Sequence, residues 1–294
     1  MFLSICFCVI GFAAGISYAQ QIPQRIITLA PHLTEICCAL GLTDQIAANT
    51  TYSDYPLIMK TRLKIGTMKK LNTYEIVTLK PDLVLADIAM NNAVQIEELL
   101  SEGLNVKILS TQTIEEMYQT IANIGRYSNR EEEASRLIES LRSRITRILD
   151  IIKPEPSAQK IVVLFNTNPV VSADNRSLVT QIISACNGTL LLDGREQLPQ
   201  SNSALFLLRQ NPEIIIEITV KVYENQTANP IYRLYEKIEN ALEIPAIKNQ
   251  RRYVIPYAIV TRPGPRIVEG FAVIASSLYP QKKADILAVL ERNQ

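Results

Sequence analysis

Hydrophobic positions along this chain follow two rhythms. Short apolar runs bounded by polar or proline turns read as buried parallel strands, and apolar residues recurring at three- and four-residue steps read as one-faced helices. Beginning at Arg25, IITLA is such a strand, followed by Pro31, His32, Leu33, Thr34, Glu35 and the helical pattern ICCALGL. Gln45 to Thr50 and the turn-rich YSDYP come next, then a helix over Asn72–Leu79 and a strand in KPDLVLA, which ends at Ala86. A helix over Ala93–Glu102 ends at Gly103, and the strand NVKIL leads into a helix from Ile114 to Tyr127. Alternating strands and helices predict an α/β lobe with a mainly parallel sheet.

The longest periodic stretch is Ser128–Lys153, with Ala134, Leu137, Ile138, Leu141, Ile145, Ile148, Leu149 and Ile152 on one stripe and Arg, Glu and Ser opposite. Ser128 and Glu131 have the spacing of a capping box, and Pro154 and Pro156 stop the pattern. About 25 helical residues would span roughly 37 Å, so the stretch predicts a rigid strut between two lobes.

Beyond the strut the plan repeats. Lys160 followed by IVVLF matches Arg25 followed by IITLA, and Leu208–Glu217 matches Leu79–Asp87, both offset by roughly 130 residues, which points to a duplicated unit. A helix from Asn229 to Leu242, the strand beginning at Arg252, the turn TRPGPR and a final helix pair complete the second lobe. The expected division is therefore residues 1–19 as a leader, 20–127 and 154–294 as α/β lobes, and 128–153 as the connecting helix. Open α/β sheets bind ligands beyond the carboxyl ends of their strands. That rule places Pro31, His32, Tyr52–Pro56, Thr67, Met68, Asp87–Asn91, Asn166–Val171 and Tyr257–Arg266, including Ala258, in a cleft between the lobes.

Charge and composition remove several alternatives. A formal net charge of +1 over 294 residues is too balanced to point to a nucleic-acid surface or an acidic partner. Phe2 to Ile16 is almost wholly apolar and Ser17-Tyr18-Ala19 suits signal peptidase, so an exported protein is expected, cleaved after Ala19 or, with no Lys or Arg before the apolar run, keeping the segment as an anchor. Cys6 and Cys8 would leave with that segment, while the adjacent Cys37 and Cys38 read as packed thiols ahead of a metal site, and Cys186 makes the remaining count odd, so the three cannot pair fully. The chain holds one histidine, His32, and no glycine-rich phosphate loop, G-x-S-x-G, H-E-x-x-H or C-x-x-C; acidic pairs such as Glu97 and Glu98 read as solvated helix faces. A binding protein without catalysis is therefore expected, ahead of an exported enzyme or an adhesion module.

RIITLAPHLTEICCALGL, TYSDYP, LKIGTMKKLNTYEIVTLKPDLVLA, NTNPVVSADNRSLVTQIISACNG and RPGPRIV resemble, in order and spacing, the solute-binding proteins of cobalamin, haem and ferric-siderophore importers, the cobalamin-binding members most of all. The resemblance implies a class III periplasmic binding protein: two Rossmann-like lobes on one long rigid helix, monomeric, delivering a large metal chelate to an ABC permease and ATPase in the inner membrane. It implies cobalamin or another corrinoid as ligand, with haem or a ferric siderophore as the alternative and no cofactor. Tyr52 matches a cobalamin-contacting tyrosine, Arg262 a cleft arginine, and Pro31 and His32 backbone-contact positions. Family tryptophan positions hold Met68, Asp87 and Leu198, with Val171 where an aromatic belongs. Thr67 stands where haem-binding relatives carry an axial tyrosine, leaving His32 or Tyr257 to ligate a haem iron. Cys186 matches a disulfide cysteine whose partner position is Ile274. Glu75 lies one position from the first of two acidic transporter-docking residues in a simple alignment, the other position holding Ala204. Little lobe closure on binding is expected from a stiff strut.

Overall fold

The computed structural model describes residues 22–153, 159–166, 171–174, 176–191, 205, 207–220 and 230–291. The leader segment with its cleavage position, Leu198 and Ala204 lie outside the described residues.

Two parallel sheets form the frame. In the first, β3 (Leu63–Lys64), β2 (Ile46–Asn49), β1 (Ile26–Thr28), β6 (Leu83–Asp87) and β7 (Val106–Leu109) lie side by side in that order. A two-stranded hairpin, β4 (Gly66–Thr67) and β5 (Lys70–Leu71), stands apart from it. In the second sheet the order is β10 (Thr189–Leu190), β8 (Lys160–Phe165), β11 (Ile214–Thr219) and β12 (Arg252–Pro256), all parallel, with β9 (Val171–Ser172) antiparallel to β8. Each sheet therefore has its first strand inside, flanked by the next parallel strand on one side and a later one on the other. Chain direction diverges between β1 and β6, and again between β8 and β11, and crevices open at such switch points.

Both sheets are covered on both faces, which explains their unbroken apolar runs. In the first sheet Ile26, Leu83 and Leu85 face one core while Ile27, Val84 and Ala86 face a second. In the second sheet Ile161, Val163, Ile214, Ile216 and Ile218 join the same core as Ile26, whereas Val162, Leu164 and Ile215 face a third. One hydrophobic cluster thus runs from the first sheet to the second.

Helices carry that cluster across. On the first lobe these are α1 (Pro31–Ala39), α2 (Thr73–Thr78), α3 (Ala93–Ser101) and α4 (Ile114–Tyr127); the strut is α5 (Glu131–Ile152). The second lobe has α6 (Leu178–Ala185) and the helices Pro230–Tyr235, Pro245–Lys248, Tyr257–Thr261, Ile267–Leu278 and Lys283–Glu291. Ala134, Leu141, Ile145, Ile148 and Ile152 of α5 are buried, and α5 packs on α4 and on the helices Ile267–Leu278 and Lys283–Glu291. A flank of α5 is pinned to α4 by Arg142, whose guanidinium gives two 2.8 Å bonds to Glu115 and lies 4.2 Å from the Tyr118 ring centroid.

Two sequence expectations are corrected. Ser128 does not cap α5: it ends α4, its Oγ donating to the Ile124 carbonyl at 2.6 Å, and α5 starts after Arg130, which makes no side-chain cap. Asn129, at φ +53°, reverses the chain, and Gly125 allows α4 and α5 so close that a Cβ there would lie 2.6 Å from the Ala134 Cβ. The strut is thus 22 residues long, about 33 Å. The helix expected to reach Leu242 stops at Tyr235, with Asn240 in the left-handed region and a short 3₁₀ turn over Ala241–Glu243.

Candidate ligand-binding cleft

At the β1/β6 switch point the chain builds a buried polar knot. His32 is the second residue of α1, and its Nε2 lies 3.2 Å from Asp87 Oδ2 and 3.3 Å from Thr111 Oγ1. Thr111 donates to the same Asp87 oxygen at 2.6 Å, and the other oxygen accepts from the backbone N–H groups of Ala89 and Met90. Asn91 accepts from the Asp87 N–H and donates to the carbonyls of Leu29 and Met68. Burial pushes the Asp87 carboxyl up, but the contacts from His32, Thr111 and Met90 outweigh it and hold it below the usual carboxylate range. His32 is 2% exposed and Asp87 1%, so both shape the wall from behind. With Nε2 engaged, His32 is a structural group of that wall and not a ready axial ligand. Pro31 is likewise buried, at the first position of α1.

A second cluster ties the lobes together. Glu35 on α1 is 2% exposed in its side chain, yet carries a carboxylate held by two arginines of the other lobe. Arg262 Nη1 donates to Glu35 at 3.0 Å and to Asp54 at 2.7 Å, and its Nη2 donates to the Tyr52 carbonyl at 3.0 Å. Arg266 grips Glu35 through Nε at 2.9 Å and Nη2 at 2.8 Å, while its guanidinium lies 4.1 Å from the Tyr55 ring centroid. Gly264, between them, sits on the first turns of α1: a Cβ there would be 3.6 Å from the His32 Cβ and 3.8 Å from Glu35 Oε2. Asp54 is pushed up by partial burial but held lower overall by Arg262. Arg262, expected to present its charge to a ligand, is therefore only 13% exposed and spent on this bridge. Gln181 of α6 adds a third tie, donating to the Gln112 carbonyl at 2.7 Å.

Between these ties lies a cavity of about 280 Å³. Met90, Thr111 and Gln112 line it from the first lobe, and Phe165, Arg176, Ser177, Leu178, Val179, Tyr257, Thr261 and Pro263 from the second. Phe165 and Tyr257 meet edge to face, with ring centroids 6.2 Å apart. A larger concavity, about 610 Å³, runs along the solvent side of α5, but one helix alone lines it and it is an open groove. The cleft cavity sits where the strand-end rule puts a ligand.

Of the residues placed in the cleft from sequence, Met90, Tyr257, Thr261 and Pro263 line the cavity. Tyr52, 55% exposed, is not among its lining and is tied to the second lobe through its carbonyl, which accepts from Arg262. Ala258 follows Tyr257 in a short helix where a turn was expected. Met68 is half-buried and packs on the core. Thr67 accepts a bond from the Lys70 N–H within the β4–β5 hairpin. Val171 pairs with Phe165 in β9, and its side chain lies outside the described residues. Glu75 is the third residue of α2 and closes a reciprocal cap with Asn72, leaving it half-buried. Thr111, Gln112 and Arg176 were not singled out; Thr111 and Gln112 follow β7, so the strand-end rule applied to that strand would have reached them. Among the described residues no cluster of three or more His, Cys, Asp or Glu side chains could hold a metal ion, and no helix is long and apolar enough to cross a membrane. Cys37, Cys38 and Cys186 are free thiols.

Residues 26–258 match the family model described as periplasmic binding protein. The chain belongs to that family. It is 30% identical over 200 residues, 67% of this chain and 72% of the relative, to a vitamin B12-binding protein of Pectobacterium carotovorum. It is 29% identical over 265 residues, 88% of this chain and 81% of the relative, to an ABC transporter substrate-binding lipoprotein of Bacillus subtilis. Among solved structures, the periplasmic vitamin B12-binding protein of Vibrio cholerae superposes with a TM-score of 0.75 at 25% identity, covering 89% of this chain and 98% of that one. The mixed α/β frame of two mainly parallel sheets is thus the frame of this binding-protein family.

Proposed function

We propose that this protein is the solute-binding component of an ABC importer, that it captures cobalamin or a related corrinoid in the inter-lobe cleft, and that it hands the ligand to a membrane permease driven by its ATPase. The observation that carries this reading is the cavity itself. It opens at the strand ends of both sheets and is walled mainly by apolar and aromatic side chains, Met90, Phe165, Leu178, Val179, Tyr257 and Pro263. Such walls suit the faces and edges of a large ring system, with few polar groups to fix its orientation. At about 280 Å³ the cavity is near the lower end of small-molecule sites, so a bulky chelate would lie across its mouth and over Tyr52. The vitamin B12-binding relatives support the same ligand class. Delivery to a transporter follows from the family, with Glu75 proposed as a docking residue on the first lobe and the periplasm as the place of action.

Isothermal titration with cyanocobalamin is the test, with sub-micromolar binding as the expected result. A second reading, haem, rests on the Tyr257 side chain at the cavity wall, whose phenol is the group left to ligate iron once His32 is engaged. Absence of heat with cyanocobalamin, together with a shifted visible spectrum on adding haem, would move the assignment to haem.

A further inference from the structure

The charge inside the cleft is not where the sequence pattern puts it. Arg262 and Arg266 give two positive charges and Glu35 and Asp54 two negative ones, so that cluster is internally neutral and its guanidinium groups already hold carboxylates. Among the eleven described residues lining the cavity, Arg176 alone carries a formal charge, and none of the others is acidic. Arg176 is exposed, in the turn entering α6. Its backbone N–H bonds to one oxygen of Asp174 at 2.8 Å, while its guanidinium makes no hydrogen bond or ion pair with any described residue. An arginine held at the wall of an apolar cavity with its fork unused is suited to two parallel bonds to a phosphate or carboxylate.

We infer that Arg176 is the anion-recognising group of the cleft, and that the ligand is a chelate carrying a phosphodiester or carboxylate on the edge that enters the cavity. This rests on the binding-protein reading above and specifies its ligand class. The facing wall, Met90, Thr111 and Gln112, is uncharged and offers no competing anion. Desolvation of Arg176 by the ligand would therefore be compensated only by a ligand that brings its own negative charge.

The test compares ligand pairs that differ in that charge: cyanocobalamin against dicyanocobinamide, which lacks the phosphodiester, and haem against haem dimethyl ester. For the wild type and for Arg176→Gln and Arg176→Lys, dissociation constants are measured after melting curves show that the variants fold. Loss of a hydrogen bond to a charged group predicts that Arg176→Gln weakens the anionic member of the bound pair by about ten- to a hundred-fold, with Arg176→Lys between. The uncharged member should move by less than about two-fold, since it makes no such bond. Unchanged affinity of Arg176→Gln for the anionic ligand would remove Arg176 from the site while leaving the cleft reading intact. Equal loss for charged and uncharged members would show that Arg176 acts through shape, and the inference would fall. Wild-type protein binding none of the four probes would overturn both.

Discussion

Substituting Glu35 by Gln tests whether the bridge between the lobes is structural. Glu35 accepts three bonds of 2.8 to 3.0 Å from guanidinium groups whose side chains are 13% and 16% exposed. Gln keeps the volume but offers one acceptor oxygen and turns an NH₂ group toward N–H donors. Counting each charge-assisted bond at about 1.5–3 kcal/mol overstates the loss, because the three share one carboxylate and are not additive. The better guide is the removal of one partner from a buried ion pair, about 3–5 kcal/mol, which comes from stranding the remaining charge. Arg262 retains Asp54, which is 49% exposed in its side chain and gives screened compensation, so about 3 kcal/mol is expected. For a protein of this size that corresponds to a fall in Tm of roughly 6–12 °C. Urea titration followed by circular dichroism measures it. The double change Glu35→Met with Arg266→Met should recover part of the loss, since replacing a buried pair by apolar groups is often neutral or better. If Glu35→Gln unfolds within about 0.5 kcal/mol of wild type, the bridge is a surface-like pair and the reasoning fails.

Three further outcomes follow from other features. Asp87 has a folded-state pKa held below that of the unfolded chain, so its contribution is complete above about pH 4 and is lost as pH falls through the folded value; the stability gap between wild type and Asp87→Asn should be flat near neutrality and shrink below about pH 4. Gly125→Ala should destabilise by about 1–3 kcal/mol, its Cβ falling 2.6 Å from the Ala134 Cβ and 3.0 Å from the Arg130 carbonyl oxygen, as read by urea midpoints; a variant as stable as wild type would refute the close packing of α4 and α5. Burial pushes the Cys186 thiol up to about 12 and that of Cys37 higher still, so in native protein at pH 8 iodoacetamide should modify the half-buried Cys38 well before either, with all three reacting at similar rates in urea.

The order of strands and helices was legible because strands buried on both faces leave short unbroken apolar runs and helices leave a 3.6-residue period, and the strut followed from the length of its stripe. Its start was not. Ser128 and Glu131 satisfy the spacing of a helix beginning, but a serine hydroxyl serves equally at a helix end, and the tertiary contact of Gly125 with Ala134 decides between them. The cleft arginine shows the same limit more sharply. Residue type and turn placed Arg262 near the ligand, whereas the acids that occupy it are 227 and 208 residues away in sequence, and nothing local encodes that pairing. His32 meets Asp87 across 55 residues for the same reason. Strand ends could be located from pattern alone, and they do surround the cavity; which side chain at each end faces the ligand depends on partners supplied by the other lobe.

The apolar cluster shared by both sheets has a consequence for how the chain holds together as a physical system. Because Leu141, Ile145 and Phe271 belong to one continuous core with Ile26 on one side and Ile161 on the other, cutting the chain within α5 would expose a raw hydrophobic surface on each half. Neither half should then be an autonomous folding unit, even though each repeats the same strand plan. Heat or denaturant should dissolve the whole molecule in a single cooperative step with superimposable probes from both lobes, and fragments ending within α5 should be recovered only when co-expressed with their complements. Duplication here would have yielded a pair of sheets bound to one fate.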